Sequence, residues 1–514
     1  MINLNWLDNV IGFLSPSTAY KREAWKQSLE ELRNYDAGSY GRSSANWRTI
    51  NQSGEITDRY CRDNVRARGR DLERNSDIMN SVVKAFKRNV IGGGYTLQAK
   101  TDDKEFNNKI ETLWQIWCKK QNCDVTGTQS FNQIIRMAVQ RKKVDGGILF
   151  IKRYTKDGII PFKLQMIEVD ELDISQMVSK NKGNKVVGGI EYNNFNKPVG
   201  YWIKQYNIDG YTINNPVYIE AKDVIFYFSK TRPSQIREIS DMTPTITRIR
   251  DTNEFMTAIS VKERIAACLS VFIKRSLPSN GVGFGRGGSS NLEESRESYQ
   301  GKTIAPGMIK ELNPGDEIQV VNPTNPGGDA TTYIKLQQRL IGAGQGISYE
   351  ATSRDMSETN YSSARQGLIE DEATYSEEIE LLQENVLDEI YETFIISVYL
   401  SGLIEMSNFW DKKQEYFWHE WIQKPRKWID PQKEANANRI ALQTGQKTYK
   451  QIAAENGKDW QEQIDEMSEI LDYAKSKGIN LGGVIFGQEE SELYFDEDDK
   501  GNDSGKTTNK GTKS

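Results

Sequence analysis

The 514-residue sequence predicts an α+β fold, because helical and strand-like hydrophobic patterns both recur along the chain. Apolar residues at 78–90 follow helical spacing, whereas residues 162–167 alternate apolar and polar side chains as a half-buried strand does. A long helical pattern then begins near residue 243. A chain of this length exceeds one compact core, so we expect two or three subdomains.

The first mixed body is predicted over residues 51–242. Helical patterns dominate up to about residue 141, and short strand patterns follow between residues 147 and 228. Six arginines between residues 59 and 74 stand beside Asp63, Asp71 and Glu73. We interpret them as an ion-paired or solvated helix face, with contact to nucleic acid as the less favoured alternative. Residues 1–50 are polar and weakly periodic, so they are predicted to form an arm.

Two helices flank a glycine-rich excursion in the middle of the chain. Thr243 suits a helix N-cap and Pro244 suits the first turn, and the helix is predicted to continue to residue 275. About 30 residues give it a length of about 45 Å. Residues 281–290 predict a flexible loop, because no strand precedes the glycines as a nucleotide loop would require. The second helix is predicted from about residue 331.

A polar loop and the longest helix follow. Residues 348–360 are rich in charged and hydroxyl side chains and nearly lack large apolar ones, so they are predicted to be a loop outside the core. Asn360 is a suitable cap for a helix over residues 361–399, whose buried stripe includes Tyr375, Val386 and Phe394.

The composition argues against catalysis. The formal net charge is −5 and the chain has one histidine, His419, which lies among aromatic residues and is predicted to be packed. The string at 301–303 lacks the first glycine of a phosphate loop. The cysteine spacing does not favour zinc, and the carboxylates at 170–173 are interpreted as a solvated turn. We therefore expect no catalytic residue, metal or cofactor, and no membrane span; a metal-dependent nuclease using scattered carboxylates is the alternative.

Six local strings, in this order, resemble the lambda-type family of tailed-phage portal proteins. The resemblance covers about residues 55–410, and the last two strings are the most specific. The strings lie at residues 71–75 (DLERN), 144–147 (VDGG), 164–168 (LQMIE), 232–237 (RPSQIR), 304–307 (IAPG) with 312–315 (LNPG), and 360–365 (NYSSAR).

The resemblance implies a portal fold with an α/β wing, a stem of long helices, a small clip that contains strands, and a helical crown. It also implies a ring, usually of twelve copies, at one vertex of the capsid. The implied regions are an N-terminal arm at 1–50, the wing at 51–242 and 363–430, stem helices at 243–275 and 331–346, the clip at 276–330, a tunnel loop at 347–362, the crown at 431–486 and a disordered tail at 487–514.

The same resemblance implies the partners and the location. Double-stranded DNA would pass through the ring, and the terminase large subunit, head–tail connector proteins and a capsid or scaffold protein would dock on it. The protein would be made in the host bacterial cytoplasm and reside in the virion. A mildly acidic wall suits sliding DNA, because phosphate contacts dominate affinity.

Two sets of residues are candidates for contacts. The tunnel-loop candidates carry hydroxyls, one cation and three carboxylates, a chemistry that suits a weak and exchangeable grip on DNA. They are Glu350, Ser353, Arg354, Asp355 and Glu358. The clip candidates are cations that would meet acidic partners, although ordinary solvated cations are an equal alternative. They are Lys274, Arg275, Lys302 and Lys310.

Overall fold

The computed structural model describes residues 15–18, 20–22, 24–25, 51–210, 215–267, 271–275, 316–320, 330–424 and 431–479. The chain divides into two units. The first comprises residues 1–60 with 231–236, and the second comprises residues 61–230 with 237–514. In the first unit, helix α1 (Gly54–Arg59) begins where the Gly54 N–H donates to the Ser234 hydroxyl at 2.8 Å, and the Arg232 guanidinium donates to the Gln52 carbonyl at 2.8 Å.

Helices form the body of the second unit. Five helices and a π turn lie before the first long strand, and each buries one face. They are α2 (Arg62–Asn75), α3 (Asp77–Phe86), the π turn Lys87–Ile91, α4 (Lys104–Trp117), α5 (Lys120–Cys123) and α6 (Phe131–Asp145). Ser76 caps α3 by accepting from the Met79 N–H at 3.3 Å, and Asp103 caps α4 by accepting from the Glu105 N–H at 2.9 Å.

The two larger sheets of the same unit are antiparallel and have three and four strands. Strands β2 (Gly147–Arg153), β3 (Lys163–Ile167) and β8 (Val224–Phe228) form a three-stranded sheet with the order β3-β2-β8. A second sheet has the order β4-β5-β6-β7. Its strands are β4 (Lys185–Val187), β5 (Ile190–Tyr192), β6 (Pro198–Ile203) and β7 (Val217–Glu220). Strand β2 is buried along nearly its whole length, which explains its uninterrupted apolar run.

A cluster of aromatic rings links several elements within the core. The rings of Trp114 and Trp117 on α4 stack with centroids 5.0 Å apart, and Trp117 stacks on Phe162 at 5.3 Å while its indole N–H donates to the Phe162 carbonyl at 2.8 Å. Phe394 contacts Trp114 edge-on at 5.0 Å. These rings join the helices before β2 to the long helix that follows residue 360, so the mixed body predicted at 51–242 has its core completed by later sequence.

The helix predicted over residues 243–275 is shorter than expected. Helix α7 spans Ile246–Ala267, which is 22 residues or about 33 Å, and strand β9 (Val271–Arg275) follows it. The prediction of a helix to residue 275 is wrong because Val271, Phe272 and Ile273 pair with β10 (Asp316–Val320), and β-branched and aromatic residues suit that ladder. The helix predicted from about residue 331 is observed as α8 (Ala330–Gln345).

The longest helix is confirmed in extent. It comprises α10 (Tyr361–Leu382), a π turn (Gln383–Leu387) and α11 (Asp388–Ser401), with Asn360 accepting from the Ser363 N–H at 2.8 Å as the predicted cap. The short helix α9 (Tyr349–Ser353) precedes it. After it come α12 (Lys413–Tyr416), β11 (His419–Gln423), which pairs with β1 (Tyr95–Ala99), and helices α13 (Pro431–Gln443), α14 (Tyr449–Glu455) and α15 (Trp460–Ser476).

The carboxylates at 170–173 are not a solvated turn. Glu171 and Asp173 are buried, and Asp170 forms ion pairs with Arg66 at 3.0 Å and Arg70 at 2.6 Å. The prediction failed because the partners lie about 100 residues earlier in the chain. The same contacts confirm that this arginine-rich stretch includes ion-paired residues, since Arg66 also contacts Asp63 at 2.5 Å.

A buried ion cluster joins α6, the segment before α7 and the long helix. Lys142 is 1% exposed and contacts Asp241 at 3.0 Å and Glu378 at 2.6 Å; Lys143 contacts Glu378 at 3.1 Å. Burial would raise the pKa of Glu378, but Lys143 and Lys142 together hold that pKa below its usual value. These ion pairs therefore hold the three elements together, because moving any one of them would leave a buried lysine or carboxylate without its partner.

Candidate DNA-contact segment

The segment between α8 and the long helix has a defined structure. Gly346 adopts a left-handed conformation with φ of 70°, which ends α8 and turns the chain back towards it. Ile347 is buried and Ser348 begins helix α9, accepting from the Ala351 N–H at 3.2 Å. A side chain at Gly342 would meet the Ile347 carbonyl at 2.7 Å, so glycine is what allows this close return.

The long helix anchors the segment. Asp371 is 3% exposed and accepts from the Ser348 N–H at 2.6 Å and from the Ser348 hydroxyl at 2.8 Å. One turn later, the Thr374 hydroxyl donates to the Gly346 carbonyl at 2.6 Å. Burial raises the pKa of Asp371, and the donors from Ser348 oppose that rise. Residues 346–348 are therefore held by two successive turns of α10.

The prediction of an unstructured loop over 348–360 is wrong in its first half. Helix α9 forms because Ser348 caps it and the Thr352 hydroxyl, buried beneath it, donates to the Ser348 carbonyl at 3.0 Å. Arg354 ends the helix in a left-handed conformation with φ of 65°. Only residues 354–360 have the loop character that the composition predicted.

The five predicted residues divide between the helix and the loop. Glu350 and Ser353 lie on α9 and are half-buried, and the Ser353 hydroxyl donates to the Tyr349 carbonyl at 2.8 Å. Asp355 accepts from the Ser357 hydroxyl at 2.6 Å, and this bond lowers the pKa of Asp355. Arg354 and Glu358 are exposed. The structure thus places all five residues on one short segment, and of the five only Arg354 and Glu358 are exposed to solvent.

Sequence reasoning missed the residues that position this segment. Lys335 on α8 contacts Glu358 at 2.6 Å, and the Arg339 guanidinium lies 5.4 Å from the centre of the Tyr349 ring. Asp371 and Thr374 were missed as well. One weak signal in the sequence pointed to this anchor: Asp371 and Thr374 are three residues apart and so lie on the same face of a largely polar helix. If that face is buried, the acid needs a hydrogen-bond donor from outside the helix.

The clip candidates fall on two different parts of the chain. Lys274 and Arg275 lie on strand β9, where they pair in register with Glu317 and Asp316 of β10. Lys302 and Lys310 lie outside the described residues.

The groups considered for catalysis are held in structural contacts. His419 is half-buried; its Nδ1 lies 2.7 Å from the Phe417 carbonyl and its Nε2 lies 3.1 Å from an Asp388 oxygen, which confirms a packed histidine. Burial raises the pKa of the Cys123 thiol to about 12. Within the described ranges, no group of three histidine, cysteine or acidic residues could hold a metal ion, and no helix is long and apolar enough to cross a membrane.

Comparison with known proteins decides the family. Residues 40–378 match the family model described as "Phage portal protein, lambda family", which covers well over half of the chain. The chain belongs to this family. The resemblance found in the six strings is thereby confirmed, and the portal role with it. The family description names a portal protein and no catalytic activity, so nothing in it points to the nuclease alternative.

Individual relatives cover most of the chain. The "Probable portal protein" of Halomonas phage phiHAP-1 is 23% identical over 428 residues, which are 81% of each chain. The "Portal protein B" of Escherichia phage lambda is 19% identical over 476 residues, 85% of this chain and 89% of that protein. Among solved structures, the "Neck of native GTA particle computed with C12 symmetry" has a TM-score of 0.43 at 13% identity, covering 76% of this chain and 92% of that chain.

Proposed function

We propose that this portal protein forms a closed ring of about twelve copies at one capsid vertex, through which double-stranded DNA enters and leaves the head. The observation that carries the proposal is the match of residues 40–378 to the lambda portal family. The terminase large subunit docks on the ring during packaging, and head–tail connector proteins replace it. The portal protein is made in the host cytoplasm, and a capsid or scaffold protein holds its ring in the virion.

Exposed apolar surface on the stem supports assembly. Tyr333, Leu336 and Leu340 lie on one face of α8 and are 42%, 50% and 42% exposed in the single chain. Residues three and four positions apart lie on the same helix face, so these side chains form one apolar surface. Exposing such a surface to water is unfavourable, and burying it against another protein surface is favourable. In a ring, each copy would cover this face with the next copy.

The electrostatics of the segment at 347–362 support contact with moving DNA. Among its five candidates, three carboxylates oppose the single guanidinium of Arg354, and one of them, Glu358, is paired with Lys335. DNA affinity rises with each phosphate that is neutralised, so one free cation gives a weak and salt-sensitive grip. This segment faces the channel in our proposal, and α10 holds it there through Asp371.

The clip provides the docking surface for partners in this proposal. Lys274 and Arg275 enter it on strand β9, and Lys302 and Lys310 belong to it by sequence. Reversal of these four charges should lower DNA packaging while rings remain intact. Packaging at the level of the wild-type protein would remove them as partner contacts.

A photo-crosslinking amino acid tests the position of the tunnel segment. Placed at Ser353 in DNA-filled heads, it should capture DNA on illumination. The control position is Thr112, which is exposed on α4 of the wing. Capture of DNA from Ser353 and not from Thr112 supports the proposal; no capture from Ser353 in filled heads refutes the channel assignment.

A further inference from the structure

An unfilled groove runs beside strand β11. It has a volume of about 1110 Å³ and lies between the long helix on one side and α14 on the other. Residues 419–424 line it without interruption. Successive residues of a strand point to opposite faces of a sheet, so a groove over one face would be lined by alternate residues. The groove therefore runs along the free edge of β11 and also extends over one face of the pair to Gln98 and Lys100 on the β1 side.

The backbone of that edge is available for pairing. The Lys100 N–H donates to the Trp418 carbonyl and the Lys424 N–H donates to the Gly94 carbonyl, each near 3 Å. In an antiparallel pair, alternate residues face the partner strand, so His419, Trp421 and Gln423 direct their N–H and carbonyl groups away from β1. Within the part of the chain that the structure describes, no hydrogen bond reaches these outward groups.

The wall of the groove on the long helix is acidic. Glu372, Glu380 and Glu384 are exposed, and no described cation lies within ion-pair distance of their carboxylates. The lining as a whole has eight carboxylates and five cations. At the other end of the same wall, Leu368 and Ile369 are 45% and 54% exposed. The groove therefore suits an extended segment that is basic in one part and apolar in another.

A second open edge of the same chain has these complementary properties. Strand β4 is the edge of the four-stranded sheet, and Lys182 and Lys185 beside it are exposed. Met177 and Val178, just before this basic stretch, are 75% and 73% exposed. An edge strand with exposed apolar neighbours is a surface that proteins normally cover.

The basic turn before β4 is already ordered for binding. The Glu191 carboxylate accepts from the Lys180 N–H at 2.9 Å, from the Asn181 N–H at 3.1 Å and from the Asn184 side-chain amide at 2.7 Å. The carboxylate is fully buried and fixes the turn from within the sheet. A surface held in this way loses little conformational entropy when it docks.

We infer that β4 of a second copy pairs with the free edge of β11 in this groove, an inference that rests on the ring of the proposed function. Lys182 and Lys185 meet Glu380 and Glu384, while Met177 and Val178 cover Leu368 and Ile369. Main-chain hydrogen bonds supply the pairing and the side chains set its register. Because two different surfaces of the chain are joined, the contact is head-to-tail, which is the type that closes into rings.

Charge reversal in the full-length protein tests the contact. The K182E/K185E and E380K/E384K variants should each lower the assembled fraction on the order of tenfold or more, because like charges face each other at every junction. The variant with all four changes should restore rings. The matched control K119E/K120E alters two exposed lysines of the wing by the same charge and should assemble normally.

Disulfide trapping supplies an independent measurement. The V178C/I369C variant should give a ladder of cross-linked chains on a non-reducing gel, whereas V178C and I369C alone should not. Intact rings in both charge reversals, or no ladder from assembled V178C/I369C, overturn the docking while the ring stands. A wild-type chain that stays monomeric overturns the ring and the docking together. Thermal unfolding of each variant distinguishes loss of assembly from loss of folding.

Discussion

Asp371→Ala should release the candidate DNA-contact segment from the long helix. The carboxylate is 3% exposed and accepts two hydrogen bonds from Ser348, at 2.6 and 2.8 Å. Hydrogen bonds to a charged group contribute about 1.5–3 kcal/mol each, and their loss also leaves the Ser348 N–H without a partner. Relief of the buried charge offsets part of this cost, as the raised pKa of Asp371 indicates. The net loss is about 2 kcal/mol, or about a 30-fold change in an equilibrium.

Amide hydrogen exchange followed by mass spectrometry measures this loss directly. In the full-length Asp371→Ala protein, peptides covering residues 348–353 should exchange about 30-fold faster, while peptides from β2 should exchange as in the wild-type protein. Asp371→Asn keeps one acceptor and should show a smaller change. Glu377→Ala, an exposed position on the same helix, is the control. Unchanged protection of residues 348–353 in Asp371→Ala would refute the anchoring role.

Three further predictions concern stability and assembly. Glu378→Gln should lower the free energy of unfolding, measured by denaturant titration, by about 3 kcal/mol, because Lys142 and Lys143 then keep only Asp241 as a charged partner. Glu377→Gln, at an exposed position on the same helix, should change the free energy of unfolding little. Ile259→Asp should prevent ring assembly. Ile259 is only half-buried in the single chain, so a neighbouring copy is expected to cover the rest of its side chain, and an aspartate there would bury an unpaired charge. Rings at wild-type yield would contradict this. Burial raises the pKa of Glu111 to about 7, so between pH 4.5 and 7 the folded state binds more protons than the unfolded state, and stability should fall as the pH rises through this range. The unfolding midpoint of Glu111→Gln should fall less over the same range. Identical pH profiles for the variant and the wild-type protein would contradict this role of Glu111.

Local patterns predicted the helices well. The Asn360 cap and the long helix follow from the polar stretch before residue 360 and the stripe through Tyr375, Val386 and Phe394, all of which are short-range signals. The π turn Gln383–Leu387 was not predictable, because its residues have ordinary helical spacing and only tertiary packing selects the extra residue per turn.

Features that depend on distant partners could not be predicted. Val271–Arg275 continued a helical apolar pattern, and only pairing with Asp316–Val320 makes it a strand. The acid at 170 looked solvated because Arg66 and Arg70, its partners, lie about 100 residues away. For the same reason the sequence indicated the polar segment near residue 350 but not its anchor at Asp371, which needs the fold to bring α10 beside α9.

The mass and shape of the purified full-length protein test the central claim most directly. Each chain has a mass of 58.7 kDa, so a ring of about twelve copies has a mass of about 700 kDa. Light scattering after size-exclusion chromatography should give that mass, and electron micrographs should show closed rings with a central channel wide enough for double-stranded DNA. A monomer over a range of protein concentration and ionic strength, or an assembly without a channel, would contradict the account.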